Sequence, residues 1–195
     1  MAGSKPAVLS IERQNQRMSA NISPAAASLL VRRATVADLP ALLALVRRVV
    51  PLMQTNGNFQ WSADYPNEAV FLNDIAQNHL WVAELGEALA GVAALTQDQD
   101  AEYAQADWDV TEPALVTHRL AVDPAAQGRG VALALMAQAE IQAVAAGLHF
   151  LRVDTNSENA ATQRLFPKLG YRFAGEITLA FRPGLRFFCY EKRLG

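Results

Sequence analysis

The chain has 195 residues, 51% of them hydrophobic, and a formal net charge of -2 at pH 7, which suffices for one substantial core. Its Lys and Arg residues are scattered rather than gathered into a stripe, which argues against a nucleic-acid backbone as partner. The single cysteine, Cys189, has no internal partner, and His79, His118 and His149 lie too far apart for metal-ligand spacing, so no metal is expected.

Residues 1–28 are rich in Gln, Asn, Ser and Ala and lack the continuous apolar segment of a secretory signal. They read as a weakly ordered extension, in which Met18 could serve as the natural start, ahead of a single domain over residues 29–195. Arg47 and Arg48 interrupt one apolar run, and Gln138, Glu140 and Gln142 interrupt another, so neither suits a bilayer and a cytoplasmic address is expected.

A strand over residues 30–34 leads into Thr35-Val36-Ala37-Asp38, a capping-box-like helix start. Leu39, Leu42, Leu43, Val46, Val49 and Met53 then recur at helical spacing. A loop carrying Phe59, Trp61, Asp64, Tyr65 and Pro66 precedes a shorter helix over residues 67–78, and a hairpin follows with strands at 79–85 and 88–96. Residues 97–113 hold six acidic residues and no Lys or Arg, and read as an acidic surface loop. Next come a strand over 115–122, the turn Asp123-Pro124-Ala125-Ala126, and a helix over 129–146 ending at Gly147, with Leu133, Met136, Ala137, Ile141 and Val144 as its expected buried stripe. A strand over 150–154, a helix opening near Asn156 and Ser157 and closing at Gly170, and two strands turning at Pro183-Gly184 complete the order βααβββαβαββ.

Chemistry concentrates where a strand meets a helix through Gln127-Gly128-Arg129-Gly130-Val131-Ala132. A helix start presents unpaired N–H groups and a positive dipole end, which suit an anion. Two glycines admit a pyrophosphate without an intervening Cβ, and Arg129 adds a charged donor. A Rossmann fingerprint needs Gly-x-Gly-x-x-Gly and a P-loop needs Gly-Lys-Ser or Gly-Lys-Thr, and neither occurs here.

The segment resembles the coenzyme motif of the GNAT acetyltransferase superfamily: Gln or Arg, two residues, Gly, one residue, then Gly or Ala, filled by Gln127, Gly130 and Ala132. The preceding Leu120-Ala121-Val122-Asp123-Pro124 resembles that family's fourth strand and turn, and the run from Asn159 to Tyr171, including Leu165, Phe166 and Lys168-Leu169-Gly170, is similar to its second motif. The resemblance covers roughly residues 30–194. It implies an α/β (α+β mixed) fold with a central, mostly antiparallel sheet flanked by helices on both faces. It also implies an acetyl-CoA-dependent N-acetyltransferase with acetyl-CoA as cosubstrate. By the same resemblance Leu120, Ala121 and Val122 would offer backbone groups to the pantetheine arm. Gln127, Gly128, Arg129, Gly130, Val131, Ala132 and Leu133 would hold the pyrophosphate, and Asn159 and Phe166 would approach the arm.

Amine attack on a thioester requires a neutral amine, so a lysine-like amine of pKa about 10.4 must first lose a proton to a base. His118 is the candidate base: by period two it shares a strand face with Leu120 and Val122, and a half-buried, hydrogen-bonded strand histidine is the competing reading. Val116 stands where many family members carry Glu, and Glu84 is an alternative base. The family's proton-donating tyrosine corresponds to Phe166, which has no proton to give, leaving Tyr171 or water for the departing thiolate. Pro167 is expected to kink its helix. Trp61, Asp64 and Tyr65 are candidates for the acceptor pocket, since aromatic faces and carboxylates suit a cationic amine. The acceptor is thus expected to be a small-molecule or peptide amine, and a homodimer is left open. The alternative function is a coenzyme-binding regulatory module without efficient transfer.

Overall fold

The computed structural model describes residues 28–195, so the expectations for 1–27 lie outside the described residues. Seven strands form one sheet in the order β1-β2-β3-β4-β5-β7-β6. The strands are β1 (Leu29–Arg33), β2 (Leu80–Leu85), β3 (Ala88–Thr96), β4 (Ala114–Val122), β5 (Phe150–Asn156), β6 (Arg172–Ile177) and β7 (Phe187–Arg193). Every adjacent pair is antiparallel except β4 and β5. The helices are α1 (Leu39–Thr55), α2 (Glu68–Ala76), α3 (Val131–Ala145) and α4 (Ala160–Lys168). The element order is the one read from the sequence. None of these helices is long and apolar enough to cross a membrane.

Three apolar clusters cover the sheet. Helices α3 and α4 supply Val131, Leu135, Met136 and Phe166 to one face, against Ala83, Ala93, Leu95 and Val153. Helices α1 and α2 supply Leu42, Leu45, Val46, Val49 and Phe71 to the other, against Val82, Val92 and Ala94. The third cluster buries Tyr103, Trp108 and Val116 with Ile177, Phe187 and Cys189.

Three expectations are corrected. The buried stripe of α3 is Val131, Leu135, Met136, Ala139 and Ala143, whereas Leu133, Ile141 and Val144 are exposed and Ala137 faces out as well. A helix in which 12 of 15 residues are Ala, Val, Leu, Ile or Met carries two apolar stripes, and spacing alone cannot choose between them. Residues 97–113 are not a solvated excursion, because their aromatic residues turn inward while most of the acids stay outside. The Tyr103 and Trp108 rings meet edge to face at 4.8 Å. Finally, β5 runs on through Asn156, and α4 opens only after its N-cap Asn159. Pro167 falls in the last turn of α4, where the helix is about to end.

Helix α3 meets the sheet through Gly91 on β3. A Cβ there would lie 2.6 Å from Val131 Cγ1, 3.0 Å from the Ala121 carbonyl oxygen and 3.2 Å from Leu135 Cδ1. Gly91→Ala is therefore expected to cost about 1–3 kcal/mol by overpacking and to push the start of α3 away from the sheet. Denaturant unfolding checks the first effect, and an undiminished midpoint would count against so close a contact.

Candidate active site

The connection from β4 to α3 is a glycine turn with left-handed backbone at Gly128 (φ 74°) and Gly130 (φ 84°), the latter being the N-cap of α3. Residues with a Cβ rarely adopt this region, which explains the glycines. The turn is tied down from outside: Asp123 accepts the Ala125 N–H at 2.9 Å and pairs with Arg48 of α1 at 2.6 Å. The first amides of α3 have no partner within the helix and open onto a cavity of about 470 Å³. That cavity is lined by Leu120, Ala121, Val122, Gln127, Gly128, Gly130, Val131, Ala132, Leu133 and Asn159, among others. Arg129 is exposed beside it, and the side chain of Val131 points into the core.

Strand β4 changes register halfway. His118 pairs with Ala94 but Ala121 pairs with Val92, so one extra residue is inserted near Arg119, whose φ is 54°. This bulge corrects the strand-face expectation. Because the insertion reverses the alternation, His118 shares its face with Ala121 and not with Leu120 and Val122. The bulge also marks where β4 leaves β5, since their pairing ends at Thr117 and Val153. Beyond that point the strands part, and a throat opens between them lined by Thr117, Arg119, Leu120, Asp154, Asn159 and Phe166. Thr117 is 1% exposed, and its Oγ1 has no hydrogen-bond partner. Asn159 caps α4 by accepting from Thr162 N–H at 3.4 Å.

On the far side of the throat lies an inner pocket formed by Gln60, Trp61, Tyr65, Asp100, His118, Arg119, Asp154 and Arg182, closed by Leu179, Phe181 and Phe187. The throat shares Leu120, Asn159 and Thr162 with the outer cavity and Trp61, Arg119 and Asp154 with the inner pocket, so the three adjoin in a row, a candidate passage. Burial pushes the His118 imidazole below its ordinary pKa of 6.5; Asp154 and Asp100 oppose the shift and Arg119 reinforces it. A neutral imidazole near pH 7 can accept a proton. Asp154 is held by the Tyr103 hydroxyl at 2.5 Å. Arg119 makes a two-pronged pair with buried Asp74 of α2, at 2.7 and 2.8 Å, and reaches the Tyr65 hydroxyl at 3.5 Å.

Some sequence candidates are not brought here. Tyr171 is 3% exposed, packs on Phe166 with ring centroids 5.8 Å apart, and has an unpartnered hydroxyl sealed in the core, outside the passage. Its phenol is pushed well above the usual range by burial, then by Glu140. Glu84 is bound to Arg32, which also holds Asp38 at 2.7 Å, on the β1–β2 side of the sheet. Asp64 and Phe59 are exposed, and neither lines the pocket. Conversely, the sequence singles out none of Arg119, Asp74, Asp154 and Arg182, and offers Asp100 only as one of the acids of residues 97–113, a segment that could add attraction for a cationic amine. Only the bulge and the inward turn of residues 97–113 assemble them, and neither leaves a periodic signal. Among the described residues, no cluster of three or more His, Cys, Asp or Glu could hold a metal ion.

Comparison with known proteins places this geometry. The model of the acetyltransferase (GNAT) family matches residues 47–171. No curated protein matches the chain in sequence. Among solved structures, a GNAT-family acetyltransferase from Streptococcus agalactiae superposes with a TM-score of 0.70 at 25% identity, covering 86% of this chain and 96% of its own. A GNAT-family acetyltransferase from Listeria monocytogenes gives 0.67 at 21% identity, covering 89% and 99%. An N-acetyltransferase from Thermoplasma acidophilum, in complex with coenzyme A, gives 0.64 at 18% identity, covering 86% and 99%. The last two are likenesses of fold.

Proposed function

Since the chain belongs to the acetyltransferase (GNAT) family and is an acyltransferase, we propose that residues 29–195 act as one domain that transfers the acetyl group of acetyl-CoA to a primary amine. The observation that carries this reading is the row of adjoining cavities from the glycine turn, past the parted β4 and β5, to His118. The outer cavity fits a nucleotide diphosphate, because the two left-handed glycines and the start of α3 present main-chain donors with no side chain in the way. Gly128, Gly130, Val131, Ala132 and Leu133 hold the pyrophosphate there, with Gln127 and Arg129 at its rim. Leu120, Ala121 and Val122, freed from β5, offer main-chain groups to the pantetheine arm. Asn159 and Phe166 flank the arm, and the unpartnered Thr117 hydroxyl supports a polar ligand atom in the throat.

Acetyl-CoA supplies the acetyl group as a thioester. His118 takes a proton from the incoming ammonium, and the freed amine then forms the new C–N bond as the C–S bond breaks. Phe166 offers no proton, but a thiol of reference pKa about 8.5 leaves tolerably as the anion and is protonated from water. Trp61 and Tyr65 form the wall against which the acceptor lies.

Titration calorimetry with coenzyme A and thiol release across a panel of amines test the reading together. Binding with no release from any amine would leave a coenzyme-binding module and end the transferase reading. Gly130→Val is expected to weaken coenzyme A binding by about tenfold or more, because a β-branched residue at φ 84° costs roughly 1–3 kcal/mol. Unaltered binding would remove the turn from the site.

A further inference from the structure

The inner pocket carries charge of both signs, and two of its charged groups have no partner. Asp100 is half-buried; burial raises its carboxyl pKa above the usual value, and no hydrogen bond stabilises its charge. Arg182 enters none of the ion pairs among the described residues. Its guanidinium carbon sits over the Tyr65 ring, 4.1 Å from the centroid, and lies 5.5 Å from the centroid of Phe181. The other arginine of the pocket, Arg119, is already committed to Asp74. Arg182 is thus a planar guanidinium held over an aromatic ring, lining a pocket that also holds two carboxylates and a histidine.

A simple cationic amine would use Asp100 and Asp154 but would meet Arg182 as a like charge. An acceptor with a carboxylate beside its amine satisfies both ends. We propose that the acceptor is a free α-amino acid, its carboxylate forked by Arg182 on the face of Tyr65 and its amine drawn by Asp100 and Asp154 towards His118. This rests on the transferase reading above. The ammonium loses one proton to His118, the nitrogen forms the bond to the acetyl carbon, the thiolate departs, and the second nitrogen proton passes to the thiolate through water. The products are an N-acetyl amino acid and coenzyme A.

The test measures thiol release with the twenty common amino acids, their α-amides and the matching decarboxylated amines. At least one amino acid is expected to exceed its own amide in kcat/KM by about tenfold or more, the scale of one charged hydrogen-bonded pair. Nucleophile availability cannot mimic this result, because an amide's amine, like a chain terminus of pKa about 7.7–8.0, deprotonates readily. Arg182→Gln is expected to bring that preference to about one, and Arg182→Lys to keep part of it, since the charge survives while the fork does not.

Amides or plain amines used as well as the amino acids would overturn the carboxylate anchor and leave the transferase reading standing. An equal loss on amino acid and amide in Arg182→Gln would overturn it too. Release from none of the three sets would overturn the amino-acid acceptor, whereas the transferase reading ends only when the wider amine panel gives no release either.

Discussion

On the proposed mechanism, replacing His118 by glutamine is expected to lower kcat/KM for amine acetylation by about 10², the usual contribution of a positioned base. Glutamine keeps a polar side chain of similar reach in the inner pocket but cannot take up a proton. The effect has a signature in pH. Because burial holds the imidazole below 6.5, His118 is neutral throughout the physiological range, and an acid limb due to it is expected below pH 6.5. Glutamine removes that limb, so the ratio of wild-type to variant rates is expected to grow from acid towards neutral pH and then level off. A ratio independent of pH would remove His118 from the proton path. The same shift acts on stability. The unfolded chain, with histidine near 6.5, binds a proton more readily than the folded one. The contribution is therefore intact above about pH 6.5 and is lost as the pH falls towards the lower folded value. His118→Gln is expected to flatten that part of the stability profile.

The order of elements and the position of the glycine turn could be read from the chain because both rest on local signals: period two, period 3.6, and glycines before an apolar helix. The inner pocket could not. It exists because Arg119 takes a left-handed conformation and inserts one residue into β4, which turns His118 away from the face of Leu120 and Val122. Nothing in the run Thr117-His118-Arg119-Leu120 marks an inserted residue, since each side chain is compatible with a regular strand. The reading of residues 97–113 failed for a related reason. Counting acids identified the solvated side chains, but Tyr103 and Trp108 decide where the segment lies, and they are buried. Tyr171 is the converse case: of its two readings, a proton donor or an aromatic packed at the start of a strand, the second holds, since its ring fills the core against Phe166.

Alongside the buried Tyr103 and Trp108, Arg152 of β5 ties residues 97–113 to the sheet, and Arg152→Met is expected to be the most destabilising single change in this region. The guanidinium is buried, with the residue 1% exposed. It donates to Glu191 at 2.9 Å, to the Asp109 carbonyl at 2.8 Å, to the Glu112 carbonyl at 3.2 Å and to the Gln99 side chain. Trp108 lies against it, 5.3 Å from Cζ to the ring centroid. Methionine fills much of the volume but leaves the Glu191 carboxylate, 7% exposed, without its main partner and strips two carbonyls of their donor. Breaking one side of a buried pair costs about 3–5 kcal/mol, which at roughly 2–4 °C per kcal/mol is a fall in Tm of about 6–20 °C. Pairing the change with Glu191→Met separates the causes. The double variant regains the part due to the stranded carboxylate but not the part due to the two loop carbonyls, so Tm recovers only partly. Because Asp100 and Tyr103 ride on the same segment, and Tyr103 holds Asp154, the single variant is also expected to raise KM for the acceptor more than KM for acetyl-CoA. A variant that melts within about 2 °C of the wild type would show that the aromatic cluster, and not Arg152, fastens the segment.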